Sequence, residues 1–364
     1  MKRSENKKIN VCVICGGVSP EHVISVASAA SVAEHLDKAK YNVQVIGIGR
    51  EDGEWRYYGD QKFYKEEGNI DSHRLLDNGW RRVLIKPGQK PCLFYDDKEN
   101  IEPIDVDVVF PVIHGDNGED GRLQGLIESL GYPIAGCGTL ASAMGMDKDV
   151  SKLMVKGRNV QVVPWVFYNR LDQLDVDHVV QELGMPVFVK PTSSGSSCGI
   201  TKAKTKEQIV SATKEAFKFS RSIIIEKAID AREIEVAVLG RWNGDITVSV
   251  PGEIVPKREF YNYEAKYVDK DGADLLIPAE ITKDQINSVK IYAEAVFRSL
   301  RCNGMARIDF FIDKNNSEVF FNEINTIPGF TIISMYPKLL GASGIPYKEL
   351  LDKLVTLGLE DFNA

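Results

Sequence analysis

Two segments near the end of the sequence, separated by a polar turn, carry side chains that could act on phosphate groups. Both segments alternate polar and apolar residues with the period of a β-strand. If the two strands pair about the turn, Asp309 lies opposite Glu323 and Arg307 lies opposite Asn325. All four side chains then share one face of a predicted hairpin.

The residue types on that face suit a magnesium ion and anionic charge. Carboxylate and amide oxygens, as in Asp309, Glu323 and Asn325, are ligands that Mg²⁺ takes where it bridges to phosphates. The guanidinium of Arg307 suits a negative charge that develops during a reaction. A surface hairpin with cross-strand ion pairs is the alternative interpretation, and the sequence leaves it open.

A second candidate for phosphate binding is the small-residue loop 192–199, which follows a predicted strand at 187–190. Its serines and glycines expose hydroxyls and backbone N–H groups that suit phosphate oxygens, and Lys190 adds positive charge beside them. The sequence contains no GxxxxGK[ST] motif of the Walker type. A plain solvent-exposed turn remains the alternative for this loop.

The first third of the chain has the pattern of an α/β layer. Segment 9–14 predicts a strand, Ser19 the N-cap of a helix, and segments 41–48 and 106–113 two further strands. This strand–helix–strand order predicts a parallel sheet. Segment 51–100 is charged and irregular, which predicts an insertion without regular structure.

Two polar loops follow strands of this predicted layer. Glu21 lies in the loop after the first strand, and His114 begins a loop rich in glycine and acidic residues after the strand at 106–113. Ligands of open α/β sheets bind at the carboxyl ends of the strands, so both residues are candidates for substrate contact. Two alternatives remain open: Glu21 complements the dipole of a helix start, or His114 is a structural turn residue.

The chain of 364 residues exceeds the ~100–150 residues of a typical domain, which predicts two or three domains. The motifs favour an N-terminal α/β substrate-binding domain at 1–135, a central domain at 136–226 and a C-terminal domain at 227–364. A long polar stretch, 252–280, shows few helix or strand signals. We interpret it as a functional lid rather than as filler.

Composition narrows the class of protein. A net charge of −7 argues against general affinity for nucleic acid. No apolar run approaches the ~20 residues that span a bilayer, and the polar first ten residues lack the features of a signal peptide, which predicts a cytoplasmic protein without membrane contact. Cys12 and Cys15 form a CxxC within an apolar strand, which favours buried thiols over zinc ligands.

Two other classes of protein remain as weaker alternatives. A GxGxxA match at 136–141 is typical of nicotinamide dehydrogenases, but the acidic residue expected ~20 positions later is missing. A nucleotide-binding regulatory protein without catalysis would not need Arg307 beside the metal-binding residue types. Both alternatives therefore explain less of the sequence than an enzyme that acts with Mg²⁺ and a nucleotide.

The sequence resembles the D-alanine–D-alanine ligase family of the ATP-grasp superfamily, over nearly its whole length. Seven motifs in order carry the resemblance: GGVSPEHVIS (16–25), HGDNGEDGRLQG (114–125), MDKDVSK (146–152), VKPTSSGSSCG (189–199), YNYEAKY (261–267), ARIDFF (306–311) and NEINTIPGFT (322–331). The resemblance implies an α/β, or α+β composite, ATP-grasp fold of three domains, with a parallel sheet in the first and the nucleotide between the other two.

The resemblance also implies an activity. Members join two D-alanines with ATP through a D-alanyl phosphate, forming ADP and a dipeptide for peptidoglycan precursors. It implies two Mg²⁺ ions, with Mn²⁺ as a substitute, and a homodimer. A D-alanine–D-lactate ligase is the alternative within the family, and Tyr267 favours the dipeptide-forming type. Ile332 stands where the family tends to place serine, which puts the recognition of the second substrate in doubt.

Roles for individual residues follow from the resemblance. The residues implied to bind ATP are Lys148, Lys190, Glu226, Lys227, Ile229 and Glu233. The implied metal ligands are Asp309, Glu323 and Asn325. The residues implied to act on the reacting groups are Glu21, Ser196, Tyr267, Arg307 and Gly329. Those implied to bind substrate are His114, Lys266 and Ser334.

Overall fold

The computed structural model describes residues 7–65, 73–88, 90–97, 100–195, 198–256 and 273–362. The strands are β1 (Ile9–Gly16), β2 (Tyr41–Ile48), β3 (Trp55–Gly59), β4 (Tyr64–Lys65), β5 (Arg74–Leu75), β6 (Arg81–Ile85), β7 (Leu93–Asp96), β8 (Ile101–Pro103), β9 (Val108–Pro111), β10 (Trp165–Tyr168), β11 (Val187–Pro191), β12 (Thr201–Ala203), β13 (Ile223–Lys227), β14 (Ala231–Arg241), β15 (Ile246–Val248), β16 (Gly252–Pro256), β17 (Ala273–Leu276), β18 (Asn303–Asp313) and β19 (Val319–Asn325). The helices are α1 (His22–His35), α2 (Arg122–Ser129), α3 (Thr139–Met146), α4 (Lys148–Lys156), α5 (Val176–Leu183), α6 (Lys206–Ala216), α7 (Lys283–Ser299), α8 (Met335–Ala342) and α9 (Tyr347–Phe362).

The first sheet has the strand order β8-β7-β6-β3-β2-β1-β9. Its strands β1, β2 and β9 pair in parallel, which confirms the predicted parallel layer. The helix after β1 begins later than predicted. Ser19 is not its N-cap: α1 starts at His22, and the Ser19 hydroxyl instead accepts a hydrogen bond from the Glu21 N–H at 3.1 Å. The serine thereby shapes the turn that holds Glu21.

The interpretation of segment 51–100 as irregular is wrong. Strands β3, β6, β7 and β8 extend the first sheet in antiparallel fashion. Aromatic and cationic side chains stabilise this edge: the Tyr57 and Tyr95 rings stack at 4.8 Å, and the Arg81 guanidinium lies 4.2 Å from the Tyr95 ring centre. Such cross-strand pairs stabilise a sheet without the hydrophobic alternation that marks a half-buried strand.

Two further sheets follow along the chain. The second has the order β10-β13-β11-β12, and the third has the order β17-β16-β14-β18-β19 with β15 beside β14. Helix α7 covers the third sheet and begins with a capping box between Thr282 and Gln285. Its residues Val289, Ala293 and Val296 recur at helical spacing and are buried in the core of the third sheet. Helices α3 and α4 pack against β19.

The stretch 252–280 is more regular than predicted at its ends. Strands β16 and β17 pair there in antiparallel fashion, and the middle of the stretch lies outside the described residues. The domain boundaries at 135 and 226 stay a prediction. Helices α8 and α9 return to the first sheet, with which they share one hydrophobic core. None of the helices that the structure describes is long and apolar enough to cross a membrane.

The two cysteines of the CxxC motif lie in the fully buried strand β1. Both are free thiols, and burial raises the pKa of each above its ordinary value. A thiol whose ionised form is disfavoured in this way is a poor metal ligand. The prediction of buried strand thiols is confirmed.

Candidate active site

Strands β18 and β19 pair as the sequence predicts at the end of the hairpin that lies away from the turn. Asp309 is opposite Glu323, and Arg307 is opposite Asn325. A β-bulge between Asp309 and Phe310 then shifts the register by one residue toward the turn. Bulges commonly redirect side chains beside active sites. We call the four polar residues 307, 309, 323 and 325 the hairpin cluster.

Within the hairpin cluster, Arg307 is held in a fixed orientation. Its Nε and Nη2 atoms each donate a hydrogen bond to a different oxygen of Asp309, both at 2.8 Å. The Nε atom also lies 3.2 Å from Oε2 of Glu235, a buried residue of β14. Asn325 donates to the same carboxylate of Asp309 at 3.1 Å. The guanidinium is therefore preorganised, as an oxyanion-stabilising group must be.

The donor set of the hairpin cluster fits a magnesium site. Asp309, Glu323 and Asn325 bring two carboxylates and an amide to adjacent positions of one hairpin, and hard oxygen donors are what Mg²⁺ prefers. Among the described residues, no group of three or more His, Cys, Asp or Glu side chains is placed to hold a metal ion. The protein ligands on offer here are therefore two carboxylates and the amide oxygen of Asn325.

Lys148 connects the hairpin cluster to the small-residue loop. Its Nζ atom donates to the carbonyl of Ser194 at 2.9 Å and lies 3.7 Å from Oε2 of Glu323. The lysine begins helix α4 because the Asp147 side chain caps that helix, accepting from two backbone N–H groups. The cap therefore fixes where Lys148 points.

Lys190, the penultimate residue of β11, forms an ion pair with buried Glu226 of β13, and the second oxygen of that carboxylate pairs with Lys152 of α4 at 2.8 Å. Burial alone would raise the pKa of Glu226, but the positive charges of the two lysines lower it to about 2. The sequence predicts Lys190 and Glu226 as site residues but not Lys152.

Glu21 lies where the loop after β1, the loop after β9 and the small-residue loop meet. A Cβ atom added at Gly115 would stand 2.5 Å from Oε2 of Glu21, and one at Gly195 would stand 3.2 Å from it. Gly115 also has a φ of +74°, a conformation that side chains rarely adopt. Two glycines therefore make room for a buried carboxylate that could receive a substrate ammonium.

His114 ties the loop after β9 to the segment that follows β19. Burial lowers its pKa, so the ring is neutral. Its Nδ1 atom faces the carbonyl of Ile327 at 2.9 Å and must carry the proton, so Nε2 accepts from the Ser28 hydroxyl at 3.1 Å. The Ser28 oxygen in turn accepts from the N–H of Phe330 at 3.2 Å. This chain of bonds positions the backbone around Gly329.

Glu119 strengthens the same connection. Its two carboxyl oxygens accept from the N–H groups of Gly115 at 2.8 Å and Ile327 at 3.2 Å. Burial, followed by the charge of Glu21, raises its pKa to about 8. The sequence predicts no role for Glu119, Ser28 or Glu235. Glu119 does stand in the quoted motif 114–125, which was the one available signal.

Gly329 and Ser334 lie together at the start of α8. A Cβ atom at Gly329 would stand 2.8 Å from the Ser334 hydroxyl oxygen, which accepts from the Thr331 N–H at 3.1 Å. The side chain of Ile332 between them is 65% exposed. The segment thus brings the backbone of Gly329, the Ser334 hydroxyl and an exposed apolar side chain together within a few residues.

The remaining predicted residues fall at the edge of the site or beyond the described chain. Lys227 is exposed at the end of β13, Ile229 is half-buried shortly after it, and Glu233 lies on β14 two residues from Glu235. No ATP contact of these three is tested by the structure, so their roles stay predictions. Ser196, Lys266 and Tyr267 lie outside the described residues.

Known proteins share this architecture. Residues 10–137 match the family model of the D-ala D-ala ligase N-terminus, and residues 154–356 match that of the D-ala D-ala ligase C-terminus. A D-alanine--D-alanine ligase of Caldicellulosiruptor bescii is 47% identical over 363 residues, which cover 97% of this chain and 96% of that protein. The chain belongs to the D-alanine–D-alanine ligase family. The resemblance seen in the sequence is confirmed, and membership identifies the protein as an ADP-forming ligase.

Solved structures of the family agree with this placement. The D-alanine-D-alanine ligase from Coxiella burnetii is similar with a TM-score of 0.82 and 34% identity, over 98% of this chain and 95% of that chain. The VanG D-Ala:D-Ser ligase from Enterococcus faecalis is similar with a TM-score of 0.83 and 33% identity, over 96% of this chain and 99% of that chain. The predicted ATP-grasp fold is confirmed.

Proposed function

We propose that the protein joins two D-alanines to D-alanyl-D-alanine at the expense of ATP, through a D-alanyl phosphate, in the cytoplasm, and so supplies peptidoglycan precursors. The observation that carries the chemistry is the hairpin cluster, in which Arg307 is fixed by two 2.8 Å hydrogen bonds beside three oxygen ligands. Family membership supports the choice of substrate. A homodimer remains an expectation from the family, and a lid formed by 252–280 remains an expectation from the length and polarity of that stretch.

The first step makes the carboxylate of one D-alanine reactive. A carboxylate oxygen attacks the γ-phosphorus of ATP, the bond to the β-phosphate oxygen breaks, and ADP leaves. Such a transfer needs positioning and charge neutralisation more than covalent help. Lys148 and Lys190 border the small-residue loop and bring positive charge to the phosphates. Mg²⁺ bound at Asp309, Glu323 and Asn325 would supply further neutralisation of phosphate charge.

The second step forms the peptide bond. The neutral amine of the second D-alanine attacks the acyl carbon, a tetrahedral intermediate forms, and the C–O bond to phosphate breaks while a proton of the attacking nitrogen passes to the departing phosphate. Arg307 and the N–H of Gly329 stabilise the oxyanion of that intermediate. Glu21 receives the ammonium of the first D-alanine, and Ser334 receives the carboxylate of the second. The neutral His114 holds the backbone between these groups in place.

The second substrate, which accepts the acyl group, has competing candidates. The VanG enzyme, a D-Ala:D-Ser ligase, is a structural neighbour, and D-lactate is the acceptor of the alternative named from the sequence. Ile332 argues against D-serine, because its exposed apolar side chain offers no hydrogen bond to the side-chain hydroxyl of that acceptor; it does not separate D-alanine from D-lactate. Tyr267 favours D-alanine by resemblance.

A phosphate-release assay tests the proposed function. The protein is incubated with Mg-ATP and D-alanine, with L-alanine as the control, and the product is identified by mass spectrometry. We expect D-alanine-dependent phosphate and an equal amount of the dipeptide. Separate incubations with D-alanine plus D-serine or D-lactate test the acceptor. Release no greater than with L-alanine contradicts the proposal, and a mixed product in excess of the dipeptide changes the acceptor.

A further inference from the structure

Three charged side chains from different elements meet in the interior of the protein. Lys152 of α4 is fully buried, Glu226 of β13 is 2% exposed, and Lys190 of β11 is 8% exposed. The Nζ atom of Lys152 lies 2.8 Å from one oxygen of Glu226, and Lys190 pairs with the other oxygen. One carboxylate is therefore shared by two ammonium groups. We call these three residues the buried triad.

Two aromatic rings flank the ammonium of Lys152 inside the protein, where Glu323 and Lys190 are the other charges that act on it besides Glu226. Its ammonium lies 5.9 Å from the centre of the Trp165 ring and 6.0 Å from that of Phe321. Lys148, one turn earlier on the same helix, reaches the small-residue loop instead. The two lysines of α4 therefore serve different places, and Lys152 points away from solvent toward Glu226.

Buried charges of this kind are unfavourable unless they are compensated, because an ammonium and a carboxylate both lose their hydration when they leave water. Lys190 supplies part of that compensation. If Lys190 turns to the phosphates of a nucleotide, it loosens its bond to Glu226. A carboxylate left alone in the interior is strongly unfavourable. Lys152 removes that obstacle, since it stays paired with Glu226 whatever Lys190 does.

We propose that Lys152 is a positioning residue for the nucleotide: it holds the Glu226 carboxylate in place and compensated, so that Lys190 is free to turn to phosphate. The proposal rests on the proposed function only in requiring that a nucleotide binds next to Lys190. Lys152 itself touches no reacting atom.

A double-mutant cycle on nucleotide binding tests the proposal. The dissociation constant of Mg-ADP is measured by calorimetry for the wild type, Lys152→Met, Glu226→Gln and the combined variant. Methionine keeps much of the length of the side chain and removes the charge. The control is Lys156→Met: this lysine lies one turn later on α4, is exposed, and its ammonium is 5.5 Å from the same Trp165 ring.

We expect Lys152→Met to weaken ADP binding at least about tenfold, because Glu226 then retains Lys190. The dissociation constant of the Lys156→Met control should stay within about twofold of the wild-type value. In the Glu226→Gln background Lys152→Met should have almost no effect, since no carboxylate needs compensation. Equal losses in the two backgrounds, or no loss in the wild-type background, overturn the proposal. If Lys152→Met fails to fold alone but folds when combined with Glu226→Gln, this rescue supports the coupling between Lys152 and Glu226. Failure to fold in both backgrounds overturns the proposal.

A pH profile adds a readout that a merely structural role would not move. In the wild type, Glu226 stays ionised over the working range because its pKa is about 2. Without Lys152 the pKa of the buried carboxyl rises, so protonation at lower pH releases Lys190. ADP binding by Lys152→Met should then improve, relative to Lys156→Met, as pH falls; parallel profiles contradict this. Because these readouts need no D-alanine, they stand apart from failure of the ligase assay.

Discussion

Replacing Arg307 by alanine should damage both stability and catalysis, by amounts that can be separated. Arg307 donates two charge-assisted hydrogen bonds to Asp309 and lies 3.2 Å from Glu235, and its side chain is 19% exposed. Removing one partner of a buried ion pair costs about 3–5 kcal/mol, and partial exposure reduces this to about 2–4 kcal/mol of unfolding free energy. Denaturant unfolding measures this loss.

The catalytic loss has a different origin. Removing one donor to a developing oxyanion lowers kcat by about 10²–10³-fold. The KM for ATP should change by no more than a factor of about three, since the proposed interaction is made in the transition state. The assay is phosphate release at saturating Mg-ATP and D-alanine, at a temperature where the variant is folded.

Arg232→Ala is the matched control. Arg232 makes a comparable two-pronged pair with buried Glu253, with its Nε atom 2.7 Å from the carboxylate, and its side chain is 30% exposed. We expect a similar loss of stability and a kcat within about threefold of the wild type. The reasoning is refuted if Arg307→Ala keeps more than half of wild-type kcat, or if Arg232→Ala loses as much.

Three further predictions concern the first substrate side of the site. Ser28→Ala removes the hydroxyl between His114 and the backbone near Gly329, and should lower kcat about tenfold and the unfolding free energy by about 1–3 kcal/mol; unchanged kcat would contradict it. Gly115→Ala places a Cβ atom 2.5 Å from Glu21 and should raise the KM for D-alanine about tenfold or more, whereas Gly125→Ala, with no atom nearer than 3.4 Å, should leave it unchanged. The pKa of His114 is lowered in the folded state, so unfolding takes up a proton at this residue below about pH 6.5 and the contribution of His114 to stability is lost there; Glu119, whose pKa is raised to about 8, contributes with the opposite sign, so the measurement is the difference in unfolding free energy between the wild type and His114→Gln, which should become smaller as pH drops below about 6.5.

The hairpin could be predicted because its alternation is symmetrical about a polar turn. Asp309 and Arg307 lie opposite Glu323 and Asn325, as expected from counting residues outward from the turn. The bulge after Asp309 could not be predicted, since it shifts only apolar pairs and leaves the polar ones in register. The edge strands of the first sheet were missed because contacts such as the stacking of Tyr57 of β3 on Tyr95 of β7 form only once β6 has paired with both strands.

Residues whose role depends on burial were also beyond the sequence. Lys152 stands in a helix among charged residues, where a solvated lysine is the ordinary expectation. Its burial depends on Glu226, which follows much later in the chain. Glu235 and Ser28 are similar cases, because each acquires its role from a strand or loop that packs on it. Resemblance to known motifs predicts roles for residues inside those motifs. The roles of residues such as Lys152 and Glu235 become visible only from the packing of the folded chain.

Isotope transfer tests the central claim most directly. The protein is supplied with Mg-ATP and D-alanine labelled with ¹⁸O in both carboxylate oxygens, and phosphate and dipeptide are analysed by mass spectrometry. If a carboxylate oxygen forms the bond to phosphorus and later leaves with it, each phosphate carries one ¹⁸O atom for each dipeptide formed. Unlabelled phosphate released together with the dipeptide would contradict a D-alanyl phosphate.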